Sequence, residues 1–167
     1  MNAANHPSAE FGYGAGHNDP AKVANPGLVH ETFKQDYVKM FCDLSYDSGK
    51  LRDIVGDNSS CPVGPIGSPA ELNYPSMTNL AKPTSPFNVK FPRTVMNVGL
   101  ANSAYKALVT KIEPVRTNVD LNISVDPSIL SFESLNEKKS FVMTEHGAGL
   151  QANESVSAWL VWSDCTA

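Results

Sequence analysis

The sequence predicts a mainly β protein, a β-sandwich preceded by a short helical segment. Three observations carry that expectation. After residue 71, apolar residues recur at every second position in several short runs, the period of a half-buried strand. Before residue 71 the only clear periodicity is helical and brief. No helical crossover separates the strand-like runs, which disfavours a parallel α/β sheet.

Residues 1–30 read as loop, because Gly12, Gly14, Gly16, Pro20, Pro26 and Gly27 interrupt any long period. The run QDYVKMFCDL predicts a helix with Asp36 as its cap and Tyr37, Met40, Phe41 and Leu44 on one face. KLRDIVG predicts a second, with Leu51, Ile54 and Val55 on one face and Gly56 as its stop. Residues 57–71 hold three prolines and two glycines and form the most linker-like stretch. In NVDLNISV, Val119, Leu121, Ile123 and Val125 alternate with Asn118, Asp120, Asn122 and Ser124. FNVKF and SVSAWLVW alternate likewise, and AYKALVTK, ILSF and KSFVMTE bring the expectation to about seven short strands, a sandwich pattern.

The chain has 167 residues, 41% of them hydrophobic, enough to build a core and to exclude a disordered tail. With 13 basic and 17 acidic side chains there is no basic stripe for phosphates, so neither nucleic acid nor an anionic membrane is an expected partner. No run approaches the roughly 20 apolar residues that span a bilayer. The first residues have neither a basic nor an apolar region, so any secretory signal is expected upstream of Met1.

Chemistry-bearing patterns are sparse. GYGAGH lacks the preceding strand and following helix of a dinucleotide site, so its glycines read as turn residues. His6, His17, His30 and His146 and the three cysteines lack zinc-ligand spacing. No serine sits in a G-x-S-x-G or G-T-S-M-A block. No catalytic, cofactor-binding or metal residue is therefore assigned. Cys42 and Cys61 are either two buried thiols or, in an oxidising compartment, a bridge worth about 3 kcal/mol on the chain-entropy estimate, and the bridge is the expectation. Three N-glycosylation triplets begin at Asn58, Asn122 and Asn153. Alternation independently places Asn122 on a solvent face.

The blocks EFGYGAGH, PGLVHE, DYVKMFCDLSYDSGKLRDIVGDNSSC, ELNYPS, FPRTVMNVG, ISVDPSILSF and SAWLVWSD resemble the plant subtilisin-like serine proteases of the cucumisin type. The resemblance runs in register over nearly the whole chain, and it is to the C-terminal part of such enzymes. It implies that residues 1–70 are the end of a subtilisin-type peptidase domain and that residues 71–167 are a fibronectin type III-like domain. It further implies that the catalytic Asp, His and Ser lie upstream of Met1, that His17 is a structural loop residue, and that Cys42 and Cys61 pair. His30 stands where the family has tyrosine. Asn118 stands where glycine is common. The family continues W-S-D-G into a last strand, whereas this chain reads Trp162-Ser163-Asp164-Cys165, so that strand is expected to be missing and Cys165 unpaired.

The expected function is that of a non-catalytic module of a secreted, apoplastic serine endopeptidase, with the upstream catalytic domain as partner in cis. On its own the chain is expected to be inert and prone to self-association. The other reading is an extracellular protein-interaction module of fibronectin type III kind. An exposed apolar patch left by a missing neighbour would separate the two.

Overall fold

The computed structural model describes residues 20–112, 120–152 and 154–165. Element order is α1 (Pro20–Val23), β1 (Leu28–His30), α2 (Lys34–Asp43), α3 (Ser48–Val55), a 3₁₀ turn (Pro69–Glu71), then β2 (Phe87–Asn97), β3 (Ser103–Ile112), β4 (Asp120–Asp126), β5 (Ile129–Phe132), β6 (Lys138–Ala148) and β7 (Ser157–Asp164). The mainly β expectation holds. Every strand pairing among the described residues is antiparallel.

The strands form two sheets, one ordered β1-β2-β6-β4 and one ordered β5-β3-β7. Their inner faces enclose Val95, Tyr105, Leu130, Phe132 and Phe141, with Leu28, Val125, Leu160 and Trp162 packed around them. The edge-on contact of Phe141 on β6 with Trp162 on β7 (5.0 Å) joins the two sheets, while that of Tyr105 with Phe132 (6.0 Å) links β3 and β5 within the smaller sheet. The alternation read from NVDLNISV is present: Leu121 is buried, while Asn122 and Ser124 are exposed. Val119 and Asn118 lie outside the described residues.

Two details of the N-terminal segment differ from the sequence expectation. Residues 20–30 are not all loop, since they contain α1 and β1. Nor does Asp36 cap α2. That helix begins at Lys34 after an extended Phe33, and Asp36 acts from the third helical position by accepting the Phe33 N–H at 2.7 Å. The second helix follows the usual chemistry more closely. The Asp47 carboxylate accepts the N–H groups of Gly49 and Lys50 at 2.9 and 3.0 Å. Gly56 ends α3 in the left-handed conformation at φ 74°, which glycine adopts without a Cβ penalty. Cys42 of α2 is bonded to Cys61, with Cα atoms 5.6 Å apart.

Candidate functional site

The most elaborately built region lies where the N-terminal segment meets the sandwich. Three residues of β1 extend the four-stranded sheet, with Leu28 opposite Asn97, Val29 opposite Met96 and His30 opposite Val95. A three-residue strand cannot hold itself there, so its neighbours fix it. Gly27 lends its carbonyl to the N–H groups of Val98 (2.8 Å) and Gly99 (3.1 Å). The chain can come this close only without side chains, because a Cβ on Gly99 would sit 2.9 Å from the Tyr105 hydroxyl and 3.3 Å from Gly27.

Asn73 is the second fastening. Its amide nitrogen donates to the carbonyls of Glu31 and Thr94, each at 2.9 Å, and its oxygen accepts the Thr94 N–H at 2.8 Å. One side chain thus ties the residue after β1 to the middle of β2. The Thr32 hydroxyl donates to the Asn73 carbonyl. His30 Nδ1 lies 3.5 Å from the Asn73 side-chain oxygen Oδ1. Burial holds the His30 imidazole below its usual proton affinity; the Asn73 contact opposes that shift and the Arg93 charge adds to it.

Arg93 is 3% exposed and is the third fastening. Its guanidinium donates to the carbonyls of Tyr74 (2.8 Å), Ala70 (2.6 Å), Pro92 (2.8 Å) and Ser76 (3.4 Å). Those bonds hold residues 70–76 along β2. Beside them an open groove of about 410 Å³ is lined by Asn73, Arg93, Thr94, Asp126 and Ser140. Four of the five Arg93 N–H donors are committed to backbone carbonyls, which leaves it little to offer an anion in that groove. Asn97, fully buried, donates to the carbonyls of Leu100 and Ser134 and accepts the Gly99 N–H at 3.1 Å.

Periodicity alone did not single out these three polar residues. For two of them the signal was nevertheless present, because Phe91, Arg93, Val95 and Asn97 occupy successive inward positions of one strand, and Arg93 and Asn97 are out of place there unless bonded.

The remaining surface is uneven. Among the described residues, ten of the fifteen exposed large apolar side chains fall between residues 20 and 80, including Phe33, Tyr37, Leu44, Ile54, Val63 and Ile66. That stretch contributes a single buried apolar side chain, Leu51. Asn58 is exposed in the bend after α3, Asn122 is exposed on β4, and Asn153 lies outside the described residues. Cys165 is a free, exposed thiol. His6 and His17 also lie outside the described residues, whereas His30 and His146 sit on β1 and β6. No three His, Cys, Asp or Glu side chains converge among the described residues.

Two antiparallel sheets with one shared core define a fibronectin type III-like sandwich. The family model described as "Fibronectin type-III domain" matches residues 71–167, and the chain belongs to that family. The wider similarity is to subtilisin-like proteases of Arabidopsis thaliana. The chain is 48% identical to SBT4.6 over 98% of its length, 45% identical to SBT4.4 over 95%, and 44% identical to SBT4.3 over 98%. It spans only 21–22% of the length of those relatives. The resemblance to the C-terminal part of a subtilase, first read from the motifs, stands.

Proposed function

We propose that this chain is the C-terminal accessory part of a secreted subtilisin-like serine endopeptidase. In this reading residues 1–70 end the peptidase domain, and residues 71–167 form the fibronectin type III-like domain fastened to it. The chemistry belongs to the catalytic domain, where a serine activated by histidine and aspartate attacks the peptide carbonyl. The part described here contributes stability and position. The exposed apolar face of residues 20–80 is the observation that carries the proposal. Ten large apolar side chains are exposed in a stretch that buries one leucine, as expected of a piece whose packing partner is elsewhere. The Cys42–Cys61 bond supports an oxidising compartment.

The test supplies the partner in trans. The catalytic part of SBT4.6, shortened by the region this chain matches, is co-expressed with the chain through a secretory pathway. Co-purification and recovery of peptidase activity are expected. Tyr37→Asp and Ile54→Asp should abolish both, while Leu108→Asp and Val161→Asp, exposed on the β5-β3-β7 sheet, should not. If all four variants behave alike, or the two parts never associate, the proposal fails and the independent binding module takes its place.

A further inference from the structure

We propose that Asn122 accepts an N-linked glycan and that this glycan covers the outer edge of the four-stranded sheet. The triplet Asn122-Ile123-Ser124 has the acceptor pattern. A triplet alone says little, and the fold supplies the argument. β4 turns Leu121 into the core and leaves Asn122 and Ser124, the two groups the transfer needs, exposed on the other side. Asn73 and Asn97 differ in this respect, because their amides are committed to backbone partners inside the fold. Opposite Asn122 and Ser124 on β6 stand His146 and Thr144, both polar.

The position in the sheet matters as much as exposure. Among the described residues the order β1-β2-β6-β4 makes β4 the edge opposite β1, three strand spacings or ~14 Å away. A glycan there stands clear of the junction through which the N-terminal segment is attached. It also falls where cover is needed. A bare sheet edge is a template for another strand, and proteins blunt such edges with charge or bulk. At one end of β4 the Lys111 ammonium donates to the Leu121 carbonyl. At the other end Asp126 and Pro127 close the strand. The middle, Asn122 to Val125, carries no charge. A glycan rooted at Asn122 fills that gap.

The modification is an ordinary group transfer from a lipid-pyrophosphate-linked oligosaccharide. The Asn122 Nδ2–C1 bond forms while the C1–O bond to the pyrophosphate breaks. The pyrophosphate leaves with the electron pair and the amide nitrogen loses one proton. The disulfide places the chain on the route where that donor is met. The inference uses only the secretory route and is independent of docking to a catalytic domain.

The full chain is expressed behind a cleavable secretory signal in eukaryotic cells. Both the secreted and the retained fractions are treated with peptide:N-glycosidase in heavy-oxygen water and mapped. Most of the Asn122 peptide should return as labelled aspartate. Asn122→Gln and Ser124→Ala should each remove one glycan-sized step on a gel, and Ser124→Thr should keep it. The two removing variants should also raise the fraction of dimer and larger species in sedimentation. An unlabelled Asn122 peptide in both fractions overturns the site, and unchanged sedimentation of a glycan-free chain overturns the edge-covering role.

Discussion

Asn73→Ala should loosen the N-terminal segment from the sandwich without disturbing the sandwich core. The substitution deletes three hydrogen bonds of 2.8–2.9 Å, two donated to the Glu31 and Thr94 carbonyls and one accepted from the Thr94 N–H. Each such bond contributes about 1 kcal/mol net, and a partner left dry costs more than one that water reaches. Asn73 is half-buried, so water can reach part of the gap, and a total of about 2–3 kcal/mol follows. For a domain of this size that is roughly 4–12 °C in melting temperature. The location of the loss is more telling than its size. Amide exchange should accelerate at Leu28–His30 and at Val95–Asn97 opposite them, and hardly at β3 or β7. Asn73→Asp should be no better, since a carboxylate keeps the acceptor but replaces the nitrogen that makes both donated bonds by an oxygen facing two carbonyls. A melting temperature within about 2 °C of the parent chain, with unchanged exchange in β1, would refute the role given to Asn73.

Three further outcomes are expected. Stability should fall as the pH drops from 7.5 towards 5.5. Neutral His30 is favoured in the fold, so below its ordinary value of 6.5 the unfolded chain takes up the proton first, and His30→Gln should flatten this dependence in chemical denaturation. Burial raises the Glu145 carboxyl, which acts with the opposite sign nearer its ordinary value of 4.5, so the difference between parent and variant is the quantity to read. Phe132→Ala removes a ring that is 1% exposed and in edge contact with Tyr105, and should cost about 3–5 kcal/mol in urea unfolding, a large share of the ~5–15 kcal/mol that holds a domain folded. Replacing Cys42 and Cys61 together by serine should cost about 3 kcal/mol, read as an earlier loss of helical signal while the sandwich persists.

The sandwich was legible because its strands are long and half-buried. Period-2 alternation in NVDLNISV and FNVKF follows directly from one face meeting a core. α2 and α3 were legible for the parallel reason, and Gly56 marked the end of α3, while its start at Ser48, two residues before the KLRDIVG run, is set by the Asp47 cap that periodicity does not show. The start of α2 was not. Its cap position is Phe33, whose side chain has nothing to offer, and the acid that satisfies the first N–H works from inside the helix. Residue-type rules point to Asp36 as the cap when its carboxylate in fact reaches back three residues.

β1 was illegible for a deeper reason. Leu-Val-His is too short to show a period, and its partner strand lies more than 60 residues further on. What makes it a strand is tertiary: Gly27 against Gly99, the Asn73 amide reaching Glu31 and Thr94, and Leu28 seated on the sandwich core. The consequence bears on where the folding unit begins. A family boundary at residue 71 leaves out the strand that completes one sheet edge and one core side chain, together with the acceptor at Glu31. Residues 26–31 therefore act energetically with the sandwich, although the family match begins only at residue 71. Opening β1 and opening the sheet edge are one event, and through that strand pair the N-terminal segment and the sandwich sense each other's stability.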